Sequence, residues 1–240
     1  MTADPGPFEA FYASFWQHPV LLWGAALGAY AYVRSRSGLS SSLRRTLAAL
    51  TALSLLDAWL TANHVVGIGA LPAALAGVVP LTFVLLGDFR FFLLVMAGTP
   101  DGRVVLQPRA IAIAAALTVL VPLATQAAMA LLPEDLRSPR TMFWIYETAF
   151  VVLTAAGIRR LPRVRANPWL RSVSGFVIVY YGAWVAADSI LLATGSDLGF
   201  ALRVVPNVLY YGGLIAAIAA TAPRSGEGAR ESVPQRAPGR

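Results

Sequence analysis

The chain has no cysteine and no lysine among its 240 residues, and its only histidines are His18 and His64. Without cysteine there are no disulfides, thiolate metal ligands or cysteine nucleophiles, and the redox compartment stays open. Two histidines are too few for a histidine-rich metal centre. All 19 basic residues are arginine, so no side-chain amine can form a Schiff base with retinal, and a retinal photoreceptor is excluded. There is no HExxH pattern, aspartate-rich metal motif or serine-nucleophile motif either. No metal site and no cofactor are expected.

Charge is also scarce. Only 13% of residues are charged, 57% are hydrophobic and the mean hydropathy is +0.63, too apolar for a soluble domain of this length. The net charge of +7 raises nucleic acid as a partner, but the arginines gather beside apolar segments rather than along a soluble face. A lipid bilayer is the expected surrounding and nucleic acid is not an expected partner.

A membrane-crossing helix needs about 20 mostly apolar residues. Seven segments qualify: 16–34, 45–68, 75–97, 109–132, 141–160, 170–194 and 199–221. They define an all-α integral membrane protein with a single transmembrane domain over 1–222. The basic stretch 223–240, rich in proline, glycine and serine, is expected to be a disordered tail. Most arginines lie at the loops after the first, third and fifth segments and in that tail, whereas Arg137 and Arg140 alone occupy the other side. The positive-inside rule then puts the N-terminus outside and the C-terminus in the cytoplasm, in a bacterial-type cytoplasmic membrane. The first residues carry Asp4 and Glu9 but no basic run, so the first segment is expected to stay as an anchor.

The two halves, about 12–97 and 141–222, share an ordered set of matches. Phe15-Trp16 corresponds to Phe143-Trp144, Ala58-Trp59 to Ala183-Trp184, and Val78-Val79-Pro80 to Val204-Val205-Pro206. Such matches predict a 3+1+3 parallel repeat with 109–132 as its linker helix. Tryptophan at interfaces and proline in membrane helices are common in any case.

Five ionisable residues fall inside the apolar segments: Asp57, Asp88, Glu147, Asp188 and Arg203. Each costs about 2.5 to 3.5 kcal/mol at the centre of a spanning helix and must face protein, water or a partner. Helical spacing lines up Asp57, Thr61 and His64; Tyr181, Trp184 and Asp188; Arg203, Asn207 and Tyr210; and Trp144 with Glu147. Asp88 and Gln126 are weaker members of the same set. Counting along the helices puts Asp188 and Arg203 at one depth, where they are expected to pair. Asp57 and Glu147 have no basic partner foreseeable from depth, and Arg90 is expected to snorkel to the cytoplasmic surface. Trp16, Trp23 and Trp169 fit lipid-interface or core positions.

These groups point to an outward-facing polar cavity that binds or transports a small polar or cationic solute, or protons. Aromatic faces beside carboxylates favour a cation. An alternative is an intramembrane enzyme that acts on a lipid or isoprenoid by carboxylate acid–base chemistry. A third reading is a sensor or assembly subunit whose polar core only fixes helix packing.

Overall fold

The computed structural model describes residues 4–62 and 72–224, with side chains left aside from 73 to 81. Helices make up almost all of it: α1 (Pro7–Tyr12), α2 (Leu22–Ser35), α3 (Ser41–Leu60), α4 (Ala73–Ala97), α5 (Pro108–Leu131), α6 (Pro139–Arg160), α7 (Pro162–Arg165), α8 (Pro168–Thr194), α9 (Leu198–Val208) and α10 (Leu214–Thr221). No strand occurs among the described residues, only an isolated bridge between Gly98 and Val104. Four helices there are long and apolar enough to cross a membrane: α5, α6, α8 and the continuous stretch Leu198–Thr221. By length and composition this is a helical membrane protein.

The helix ends follow from local chemistry. Ser40 and Ser138 accept hydrogen bonds from the amides of Leu43 and Thr141, satisfying donors that an α-helix leaves free at its start. Pro108, Pro139, Pro162 and Pro168 stand at the first turns of α5, α6, α7 and α8, where a missing N–H does no harm. Gly195 closes α8 with φ of 62°. Arg137 donates to the carbonyls of Leu132 and Ala130 at the end of α5, a favourable place for a cation.

Two expected segments differ from regular spans. The second starts earlier, because Ser40 caps α3, and its helix stops at Leu60; residues 63–68 of the expected segment, with His64, lie outside the described residues. In the first, the turn Trp16–Leu21 is wide and His18 is extended inside it (φ −136°, ψ 107°), so the chain kinks before α2. Pro206 likewise precedes a wide turn at Leu209–Gly213 that divides α9 from α10. Proline removes one ladder bond, which is a usual cause of such irregularity. Residues 225–240 of the expected tail also lie outside the described region.

Neighbouring helices pack side by side in a closed ring: α2 with α3, α3 with α4, α4 with α5, α5 with α6, α6 with α8, α8 with α9, and α10 back onto α2. The arginine-bearing loops meet at one end. Ser40 donates to Gly102 O (2.8 Å), Trp169 to Thr99 O (3.0 Å), and Arg163 to Gly98 O (3.4 Å). In the loop between α4 and α5, Thr99 and Arg103 hold the Asp101 carboxyl below its usual range, the Thr99 hydrogen bond being the larger influence. At the opposite end, Asp197 accepts from the amides of Phe8 (2.8 Å) and Glu9 (2.7 Å), which fastens α1 across the start of α9.

The ring closes through a small-residue contact. A Cβ on Gly212 would lie 2.4 Å from the carbonyl oxygen of Ala25, so the wide turn packs backbone to backbone on α2. Gly24 and Gly28, on α2, have open space around them. Gly212→Ala is therefore expected to destabilise the fold by about 1–3 kcal/mol. Gly24→Ala should be neutral or slightly stabilising, as judged by unfolding midpoints in mild detergent.

Candidate functional site

A cavity with charged and aromatic walls sits at the α1 end of the ring, with a volume of about 300 Å³. Residues from six helices and the two wide turns line it. α1 contributes Tyr12, the first turn His18, α3 Asp57, α6 Tyr146 and Glu147, α8 Tyr181 and Trp184, α9 Arg203 and Asn207, and the second turn Tyr210 and Tyr211. Thr61, Val84 and Phe143 complete the wall. Of the residues expected from helical spacing, Asp57, Thr61, Glu147, Tyr181, Trp184, Arg203, Asn207 and Tyr210 meet here.

Arg203 organises the outer half. Its Nη1 donates to Asp188 and lies 3.7 Å from Glu147 Oε1, and its Nε donates to the Tyr12 hydroxyl at 3.2 Å. Asp188 is fully buried and also receives Arg140 Nη1 at 3.3 Å. The pair expected from depth is therefore present, but with a second guanidinium on the same carboxylate oxygen. Glu147 is corrected: its Oε1 lies 3.7 Å from Arg203 Nη1, so α6 places it within reach of a cation. Its other oxygen, Oε2, is buried with no hydrogen-bond partner. Buried acceptors in folded proteins nearly always have a partner, so this oxygen is the clearest vacancy in the wall.

The inner half is built on aromatic rings. Trp184 lies 5.3 Å from Tyr181 and 5.4 Å from Tyr210, and its indole N–H donates to Asn207 Oδ1 at 3.1 Å. Phe150 stacks on Tyr181 at 4.1 Å. Tyr210 reaches deep because Gly87 has no Cβ; an added Cβ would fall 1.3 Å from the Tyr210 hydroxyl oxygen. Asp88 lies below the rings and accepts from the hydroxyls of Tyr146 and Tyr181.

Arg90 requires the largest correction. It is buried rather than snorkelling, with its Nη1 donating to Ser54 Oγ at 2.5 Å and its guanidinium 4.8 Å from the Tyr210 ring centre. α4 turns it inward, where it bonds Ser54 on α3 and lies over Tyr210, and its positive charge acts on Asp57. Asp57 is thus not without a cation.

Other expected members lie elsewhere. Asp188 sits behind the wall rather than in it. Trp144 points away and donates to Ser189 Oγ at 2.9 Å. Gln126 is exposed and its side chain meets Met142 Sδ at 3.7 Å. Among the three tryptophans read as interface or core, Trp16 is exposed, Trp23 donates to Leu55 O and Trp169 is buried. His18 lines the cavity as well, with its Nε2 3.0 Å from Thr61 Oγ1. The kink before α2 brings it there, and spacing within regular helices could not show this. The signal available was the His18-Pro19 pair, since proline disfavours helical geometry in the residue before it.

Comparison with known proteins found no matching family, no similar curated protein and no similar solved structure. The chemistry of the site rests on its own geometry. The side chains in and behind the wall bring together Asp57, Asp88, Glu147 and Asp188 with Arg90, Arg140 and Arg203, an excess of one carboxylate over the guanidiniums. Removing Asp188 would leave Arg140 without its carboxylate and Arg203 with Glu147 alone. Asp188→Asn is expected to cost about 3–5 kcal/mol, and Asp188→Asn combined with Arg203→Gln less than the sum of the two single changes. Unfolding curves of the three variants would check this.

Proposed function

We propose that the chain is a seven-helix membrane protein, N-terminus outside and C-terminus cytoplasmic, that binds a small organic cation in this cavity and carries it across the bilayer. The kinked first segment, α3 and α4 complete the seven with the four apolar stretches. The arginine distribution supports the orientation, with the cavity at the arginine-poor end. The 3+1+3 parallel repeat belongs to this proposal and rests on the tryptophan and proline matches alone.

The observation that carries the reading is Glu147 Oε2, buried without a hydrogen-bond partner in a wall that includes Trp184, Tyr181, Tyr210 and Tyr12. Arg203 is already held by Asp188, so Glu147 retains most of its capacity for a second cation. Aromatic faces add attraction for an ammonium group of about 0.5–2 kcal/mol each when the site is dry. Exchange of a proton on Glu147 uses the same vacancy, and proton coupling is part of the proposal.

One observation favours a second reading. The Thr61 hydroxyl stands between the His18 imidazole and the Asp57 carboxylate at the cavity wall, a set of groups that acid–base chemistry on a lipid or isoprenoid would use. A specific lipid accumulating in cells that lack the protein would favour this enzyme.

Uptake of radiolabelled tetramethylammonium into proteoliposomes, with an internal pH dye, tests the leading reading. Saturable uptake by the unaltered protein is expected, at least tenfold lower at subsaturating cation in Glu147→Gln, since loss of a paired charge costs about 1.4 kcal/mol or more. Trp184→Leu is expected to weaken uptake by about twofold to thirtyfold. Equal uptake in empty liposomes, or no change in Glu147→Gln, would overturn it.

A further inference from the structure

A second cavity, of about 430 Å³, opens at the arginine-rich end between α4, α5, α6, α7 and α8. Its walls are apolar, with Phe92, Val95, Ile113, Leu117, Leu153 and Val164 among them. The size lies within the range of about 300 to 1,000 Å³ usual for small-molecule sites. Next to it is a polar vestibule lined by Arg109 and Arg163, and the two share Met96 and Ile113 as common wall. Arg160 stands at the rim of the apolar slot itself. An apolar slot that continues into a cluster of guanidiniums is complementary to an amphiphile with an anionic head.

A second observation is independent of charge. Thr51, Thr118, Thr125 and Thr148 each donate back to the carbonyl four residues earlier, the usual way a threonine hydroxyl is satisfied in an apolar helix. Thr154 lines the slot, is only 4% exposed, and its hydroxyl has no partner. It lies six residues before Arg160 on α6, about 9 Å along the helix axis. A hydroxyl left open at that depth suits a ligand oxygen below the head.

We infer that this slot and vestibule form a binding site for one anionic phospholipid, with an acyl chain in the slot, an ester oxygen near Thr154 and the phosphate among Arg109, Arg160 and Arg163. The site does not depend on transport through the outer cavity. It lies on the side that the arginine distribution assigns to the cytoplasm, where the anionic leaflet surface is found. The guanidiniums provide fork-shaped donors for phosphate, and an ammonium would give only a point charge.

Native mass spectrometry of the full chain, released from micelles titrated with dioleoyl phosphatidylglycerol or dioleoyl phosphatidylcholine, tests this. One phosphatidylglycerol adduct per chain is expected, retained at least fivefold more than phosphatidylcholine, in line with a charge-assisted contact of about 1 kcal/mol or more. Arg109→Gln with Arg163→Gln should remove the preference and leave phosphatidylcholine retention unchanged. Thr154→Val, which keeps the shape of the side chain, should lower phosphatidylglycerol retention by about twofold to tenfold. Ala156→Phe, which fills the slot, should abolish it, and the arginine and threonine variants decide the matter if that protein does not fold. Equal retention of the two lipids, or retention unaffected by the double arginine variant and by Thr154→Val, overturns the proposal. Displacement of the lipid by millimolar inorganic phosphate alone would also overturn it, because the slot would then contribute nothing.

Discussion

One guanidinium holds the α1 end of this protein together. Arg203 on α9 reaches Asp188 on α8, Glu147 on α6 and the hydroxyl of Tyr12 on α1, so four helices converge on a single planar cation. A buried charge must be neutralised, and a guanidinium can satisfy several acceptors at fixed angles where an ammonium cannot. Asp188 is fully buried and receives Arg140 as well. With Arg203 committed in this way, Glu147 is left half satisfied, and the vacancy in the cavity wall follows directly from the pairing.

The inner half obeys a different constraint, close packing of rings around a second buried cation. Arg90 lies over Tyr210, whose hydroxyl occupies the space where Gly87 lacks a side chain. Tyr210, Trp184, Tyr181 and Phe150 then follow one another toward α6 in tilted, edge-to-face and stacked contacts in turn. Asp88 ties two of the surrounding tyrosines from below. The rings supply a wall that is apolar yet attractive to positive charge, and the carboxyl groups beside them outnumber the guanidiniums.

Helix positions were readable from residue order because they depend on local chemistry: serine caps, prolines in first turns and apolar runs of fixed length. The shared depth of Asp188 and Arg203 was readable too, since a short loop joins their helices and rise per residue is constant. Side-chain direction was not. Trp144 and Glu147 share a helical face by spacing, yet the indole turns to Ser189. Arg90 sits near a helix end, and snorkelling assumes a lipid-facing position that the packing of α4 does not provide. Gly87, three residues before it, was the available hint, because small residues inside membrane helices are enriched where a neighbour approaches closely, although Gly24 and Gly28 show that not every such glycine is used in that way. His18 depended on a kink, which periodicity within regular helices cannot express.

The central claim is that a cavity roofed by α1, with Glu147 as its vacant acceptor, opens to the arginine-poor side and takes up a cation. The absence of native cysteine allows a direct measurement. Thr61→Cys would be placed in the cavity wall and treated, in intact cells, with a membrane-impermeant maleimide. Labelling from outside, slowed by tetramethylammonium only when Glu147 is intact, is the predicted result. Labelling solely after the membrane is opened, or labelling indifferent to the cation, would contradict the account.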